Sequence, residues 1–142
     1  MSGERVAEAL ARYFEAHRLD RGGYASRTFA VPLGPVRLVF PNPGRLAEHD
    51  LHHVALDVPA TFWGEVELSA FELRTGAPSA IIALLCVGAL ALGSVLSPRR
   101  VLSAWKRHPR GRSLYRDAPA YEALTAMRVD ELRAWMRLDA IG

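Results

Sequence analysis

The chain has 142 residues, half of them hydrophobic and 23% charged, with a net charge of +3. Those values describe one folded domain, 1–142, and exclude a disordered segment or a highly charged tail. The single cysteine, Cys86, excludes an internal disulfide framework and any zinc site built on paired cysteines.

The opening residues, Met1 to Arg5, lack the apolar stretch of a secretory signal, and Glu4, Glu8 and Glu15 do not suit a mitochondrial transit peptide. Val6, Ala9, Leu10, Tyr13 and Phe14 recur at helical spacing and predict a first amphipathic helix, broken by Asp20 to Gly23. From 26 to 40 the chain is rich in β-branched and aromatic residues but is interrupted by Pro32, Gly34 and Pro35. That pattern predicts a short extended connector, with a small hairpin as its variant. Pro41 to Gly44 form a turn.

A second helix is expected from Arg45 to Leu56 and a third from about Phe62 to Thr75, joined tightly through Asp57 to Thr61. Thr61 suits an N-cap and Gly76 a helix end. A fourth helix, apolar on every side, runs from near Pro78 to about Leu96. A helical piece follows at 101–107, and a last helical region at 118–138 bends near Arg128 to Asp130. The expected fold class is all-α: five or six helices in one bundle-like domain, with the extended connector near 26–40.

Charge is unevenly distributed. No acid occurs between Leu73 and Arg116, where Arg74, Arg99, Arg100, Lys106, Arg107, Arg110, Arg112 and Arg116 contribute +8. Beside it lies the charge-free run 77–97, long enough for a single span, while its alanines and glycines favour a buried or half-inserted helix, or tight packing in a homodimer. A basic block beside a greasy helix points to an anionic lipid surface. No recognition motif or aromatic array supports nucleic acid. Cys86 in the apolar run reads as inert core, and His108 among arginines as solvated.

Three of the five histidines fall within Glu48-His49-Asp50-Leu51-His52-His53. On a helix, His49 and His53 lie about 40° apart and share a face with Asp50, whereas His52 points to another flank. His53 lies four residues before Asp57, and Glu65 four residues after Thr61. If the two helices fold back on each other, both side chains sit about one turn from the connection, and Gly64 permits close approach. Two imidazoles and two carboxylates suit zinc, and equally ferrous iron or manganese. The competing reading is a solvated polar helix whose histidines are incidental.

The pattern His49-Asp50, two residues, His53, eleven residues, Glu65 resembles the signature of the coenzyme Q (ubiquinone) biosynthesis protein 4 family. Gly64 to Gly76 is similar to the stretch that follows that motif, and Ala9 to Leu19 to the helix upstream; Trp105 and the segments 108–114 and 129–138 are similar more loosely. The resemblance implies a helical protein peripheral to the membrane, associated on its cytoplasmic side, with His49, Asp50, His53 and Glu65 as metal ligands, usually for zinc. It implies a part in removing the ring carboxylate of a polyprenylated hydroxybenzoate, a lyase reaction, or in organising other quinone-biosynthesis proteins as a scaffold. Candidates around such a site are Glu67 and Glu72 as supporting carboxylates, and Phe62, Trp63 and Phe71 as contacts for a prenyl tail.

Overall fold

The apolar stripe of the first segment folds as its spacing predicts. In the computed structural model, which describes residues 3–19, 24–33 and 35–138, α1 (Val6–His17) buries Val6, Ala9, Leu10 and Phe14. They meet Leu51 and Ala55 of α2 (Leu46–Leu56) and, from the C-terminal segment, Leu124, Val129, Leu132 and Met136. Each such leucine contributes about 1.5–3 kcal/mol on leaving water. The last helical region is two short helices, α6 (Tyr121–Ala126) and α7 (Val129–Trp135), because Met127 and Arg128 between them are extended. Backbone hydrogen bonds from Val6 to the Met127 carbonyl (2.9 Å) and from Val129 to the Glu4 carbonyl (3.0 Å) stitch the start of α1 to that break.

The expectation of an all-α chain is corrected by the connector. Two strands, β1 (Thr28–Leu33) and β2 (Val36–Pro41), pair antiparallel in the register Thr28↔Pro41 to Leu33↔Val36. The fold is mostly helical, with seven helices and this one hairpin among the described residues. Pro32 is tolerated because a two-stranded ribbon leaves an outer edge on each strand, where a missing N–H breaks no ladder. The Phe29 and Phe40 rings, 5.7 Å apart, pair across the strands.

The remaining helices form a second group. α3 (Phe62–Thr75) packs on α4 (Ala80–Leu96) and α5 (Pro98–Lys106). Of the alternatives for the apolar run, the fully buried helix is corrected: of α4 only Cys86 and Gly93 are buried. At Gly93 a Cβ would stand 3.0 Å from methyls of both Val66 and Val101, so that glycine lets the three helices close up. Among the described residues, no helix is long and apolar enough to cross a membrane.

Candidate metal centre

The centre is built by the return of α3 against α2. Asp57 ends α2 in the left-handed region (φ 54°) and turns the chain sharply. Thr61 then caps α3, its hydroxyl accepting from the Gly64 N–H at 3.3 Å. A Cβ on Gly64 would lie 1.8 Å from the Pro59 carbonyl oxygen, so only glycine allows α3 to start this close to the turn. The first turn of α3 therefore brings Glu65 onto the face of α2 that carries His49 and His53.

His53 Nε2 lies 3.1 Å from Glu65 Oε1, and His49 Nε2 lies 3.6 Å from Glu65 Oε2. One ligand atom from each of the three residues falls within 4.8 Å of the others, the spacing of a metal site. The imidazoles are also held from behind. His53 Nδ1 donates to the Val58 carbonyl at 3.0 Å, and His49 Nδ1 meets Glu72 Oε1 at 3.1 Å. That is how ligating histidines are commonly oriented, with the far nitrogen tied down and the near one presented. His53 Nε2 is buried and has no hydrogen-bonding partner among the described residues despite the nearby carboxylate. A buried imidazole lone pair facing a carboxylate fits a divalent cation.

Charge balance at the site follows from the same contacts. Burial opposes the charged form of His49, but Glu72 and Glu65 outweigh it and hold the imidazole well above its ordinary 6.5. Burial likewise opposes ionisation of Glu65, yet His49 and His53 lower its carboxyl to about 2. His49 thus lies between two carboxylates, Glu65 and Glu72, which together favour its charged form.

Asp50 stands beside the group. Its Oδ2 accepts the Tyr24 hydroxyl at 2.7 Å, and burial raises its carboxyl against the pull of Tyr24, His49 and His53. His52, which the helical register turns away, is fully buried on another flank. Its Nδ1–H donates to Glu72 Oε1 at 2.7 Å and its Nε2 accepts from the Leu114 N–H at 2.9 Å. Burial lowers its pKa and that bonding pattern fits a neutral ring.

Of the two supporting carboxylates, the structure brings only Glu72 to the site. It is 1% exposed, and the Tyr115 hydroxyl donates to the same oxygen at 2.7 Å. Glu67 instead pairs with Arg107 (2.9 Å) and Arg100 (3.5 Å) of the α5 side. Phe71 lies in the core with its ring 5.6 Å from that of His52. Phe62 is exposed, and Trp63 lies under the Arg100 guanidinium at 4.4 Å. Tyr13, stacked on His53 at 5.2 Å, and Tyr24 and Tyr115 complete the surroundings. No spacing in the sequence marks these tyrosines, because each reaches the site from a remote segment. No family model, curated protein or solved structure matches the chain.

Proposed function

We propose that this is a metal-dependent, membrane-associated protein of ubiquinone biosynthesis that acts in decarboxylation of a polyprenylated hydroxybenzoate. The observation that carries the reading is the convergence of His49 Nε2, His53 Nε2 and the Glu65 carboxylate, with both imidazoles fixed from behind. The motif resemblance supplies the pathway. His49, His53 and Glu65 would hold the ion, with the neighbouring Asp50 as a fourth donor. The donor set suits Zn2+, and Fe2+ or Mn2+ as well.

When bound, such an ion supplies a Lewis acid for the carboxylate or phenolate oxygens of an aromatic acid. The chain does the rest. Val58 and Glu72 orient the two imidazoles. Glu65, 43% exposed, and His49, 28% exposed, leave one side of the site open to a ligand, while His53 is closed off. Tyr13 stacks on the His53 ring, and the Tyr24 hydroxyl is donated to Asp50.

A second reading is a non-enzymatic scaffold of the quinone-synthesis assembly that binds prenyl lipid around a structural metal. It draws on the fact that the ligands come from two helices, so an ion would staple α2 to α3. In either reading the protein works on the cytoplasmic face of a membrane, beside other enzymes of the pathway.

The test has two arms. Native purification followed by elemental analysis and lipid extraction is expected to show one metal per chain and a prenylated aromatic or quinone. Cells depending on Glu65→Ala are expected to accumulate a carboxylated prenyl-aromatic intermediate. Metal-free wild-type protein with unchanged quinone levels in the mutant would overturn the proposal. Metal retained structurally, with lost quinone but no carboxylated intermediate, would select the scaffold.

A further inference from the structure

The exposed side of α4 is anomalous for a helix in water. No charged side chain occurs between Ala80 and Leu96, and Leu84, Val87, Leu92 and Val95 are 71%, 49%, 45% and 81% exposed. They recur at i, i+3, i+8 and i+11, which is one helix face. Ile81 and Leu96 extend it, and α5 adds exposed Leu102 and Trp105 one turn apart. The opposite side of α4 is the one that packs, through Cys86 and Gly93. An aliphatic stripe of this length on one surface marks a partner.

The charges nearby decide which partner. Arg99 and Arg100 follow α4 directly, and Lys106, Arg107 and Arg110 follow along and after α5. Arg100 and Arg107 are engaged by Glu67. Arg99, Lys106 and Arg110 are exposed, with no acidic partner among the described residues. A second copy packed stripe to stripe would either set the two basic blocks side by side, if the α4 helices ran parallel, or set each block beside the acid-free start of the other α4, if they ran antiparallel; neither gives the bases an acidic partner. A lipid surface bearing anionic head groups satisfies the apolar stripe and the bases together.

We propose that the α4–α5 pair is an in-plane anchor. On this reading α4 lies in the interface of an anionic membrane with Leu84, Val87, Leu92 and Val95 toward the acyl chains, and Arg99, Lys106 and Arg110 contact the head groups. Seventeen residues at 1.5 Å each give about 25 Å, shorter than the ~30 Å hydrocarbon core, so the helix lies along the surface and does not cross. Trp105 belongs at the head-group level, where tryptophans collect. Because α3 carries Glu65 and packs on α4, this arrangement holds the candidate metal centre one helix away from the lipid. The inference rests on the membrane part of the proposed function and is independent of the metal.

The experiment is sedimentation of the full chain with vesicles of phosphatidylcholine alone and of phosphatidylcholine mixed with phosphatidylglycerol, at low and high salt, with and without chelator. Tight binding to the anionic vesicles is expected, weakening with salt and unaffected by chelator. Leu84→Ser with Val95→Ser should abolish it, and both positions are too exposed for the change to unfold the chain. Charge reversal at Arg99, Lys106 and Arg110 should weaken binding to anionic vesicles by about a hundredfold or more. Light scattering on the same samples reports oligomeric state. Wild-type protein that ignores anionic vesicles at low salt overturns the proposal. So does a dimer that Leu84→Ser dissociates while no vesicle is bound, which would assign the stripe to a second copy. Chelator-insensitive binding by a chain that takes up no metal would sink the metal centre and leave the anchor standing.

Discussion

His49 Nδ1 and Glu72 Oε1 lie 3.1 Å apart, and the same oxygen takes the His52 Nδ1–H and the Tyr115 hydroxyl, each at 2.7 Å. One buried carboxylate thus ties a candidate ligand on α2 to the segment after α5. Glu72→Gln keeps an accepting oxygen but removes the charge. It should weaken metal binding by about 10–100-fold with little loss of fold. Glu72→Ala leaves buried donors unsatisfied, at about 1–3 kcal/mol each, and should be markedly destabilised. Metal titration beside denaturant unfolding of both variants checks this, and equal metal affinity in Gln and wild type would remove Glu72 from the centre.

The ligand set separates from its neighbour on α2. His49→Ala, His53→Ala and Glu65→Ala should each empty the site, since each removes one of three converging atoms. Asp50→Ala should weaken binding as loss of a fourth donor would. His52→Ala should keep one metal per chain but lose about 2–4 kcal/mol of stability, because Glu72 loses a donor and the Leu114 N–H its acceptor. Metal content and unfolding midpoints of the five variants decide; an empty site in His52→Ala with a full one in His49→Ala would invert the helix register.

Protons compete with the metal. His49 is held well above 6.5, so at neutral pH the metal-free imidazole is charged and must lose its proton on binding. Calorimetry in two buffers of different ionisation enthalpy should show proton release, and affinity should rise with pH until His49 is neutral without metal. The stability of the metal-free chain has the opposite sign at that group. Its raised pKa contributes fully below 6.5, and the contribution fades as pH climbs through the elevated value. Glu65, at about 2, and Glu72, also lowered, contribute above 4.5 and lose that contribution as pH falls through their lowered values. Buffer-independent binding enthalpies would contradict the charged His49.

Local spacing made part of this legible and remote contact hid the rest. The stripe Val6, Ala9, Leu10, Phe14 marks α1 because a single face is buried. His49, His53 and Glu65 could be brought together from chain positions because a short connection fixes how α3 meets α2. Asp50 shares that face in the sequence but gives its oxygen to Tyr24, 26 residues earlier, which no periodicity reveals. Glu67 and Glu72 are equal candidates for a supporting carboxylate in the sequence, and what separates them, Tyr115 against Glu72 and Arg107 against Glu67, comes from residues about 40 positions on. Pro32 and Pro35 leave the hairpin only a variant of the connector in the sequence, because they argue against a strand inside a sheet but not in an isolated ribbon. His108, solvated by its arginine neighbours on paper, is 5% exposed, because Arg74 of α3 draws its carbonyl in at 2.6 Å.

Gly64 is the residue on which the closeness of α3 to α2 depends. Gly64→Ala puts a methyl 1.8 Å from the Pro59 oxygen, a backbone atom that cannot swing aside. The start of α3 must move, carrying Glu65 with it. Loss of metal together with a drop of several kcal/mol in stability is expected. A variant that binds metal like wild type would show that the turn yields at little cost.

The hydrogen bonds between residues 4–6 and 127–129 bear on the order in which the molecule can be made. α1 leaves the ribosome well before Leu124, Val129, Leu132 and Met136, which cover its apolar side. Until they follow, α1 leans mainly on α2. His52 and Glu72 wait as well, because Leu114 and Tyr115 also come late. Meanwhile α4, with its bare leucines and valines, has already emerged. During synthesis the greasiest surface of this protein is therefore on display before its core is sealed, and an early landing on lipid would shelter it.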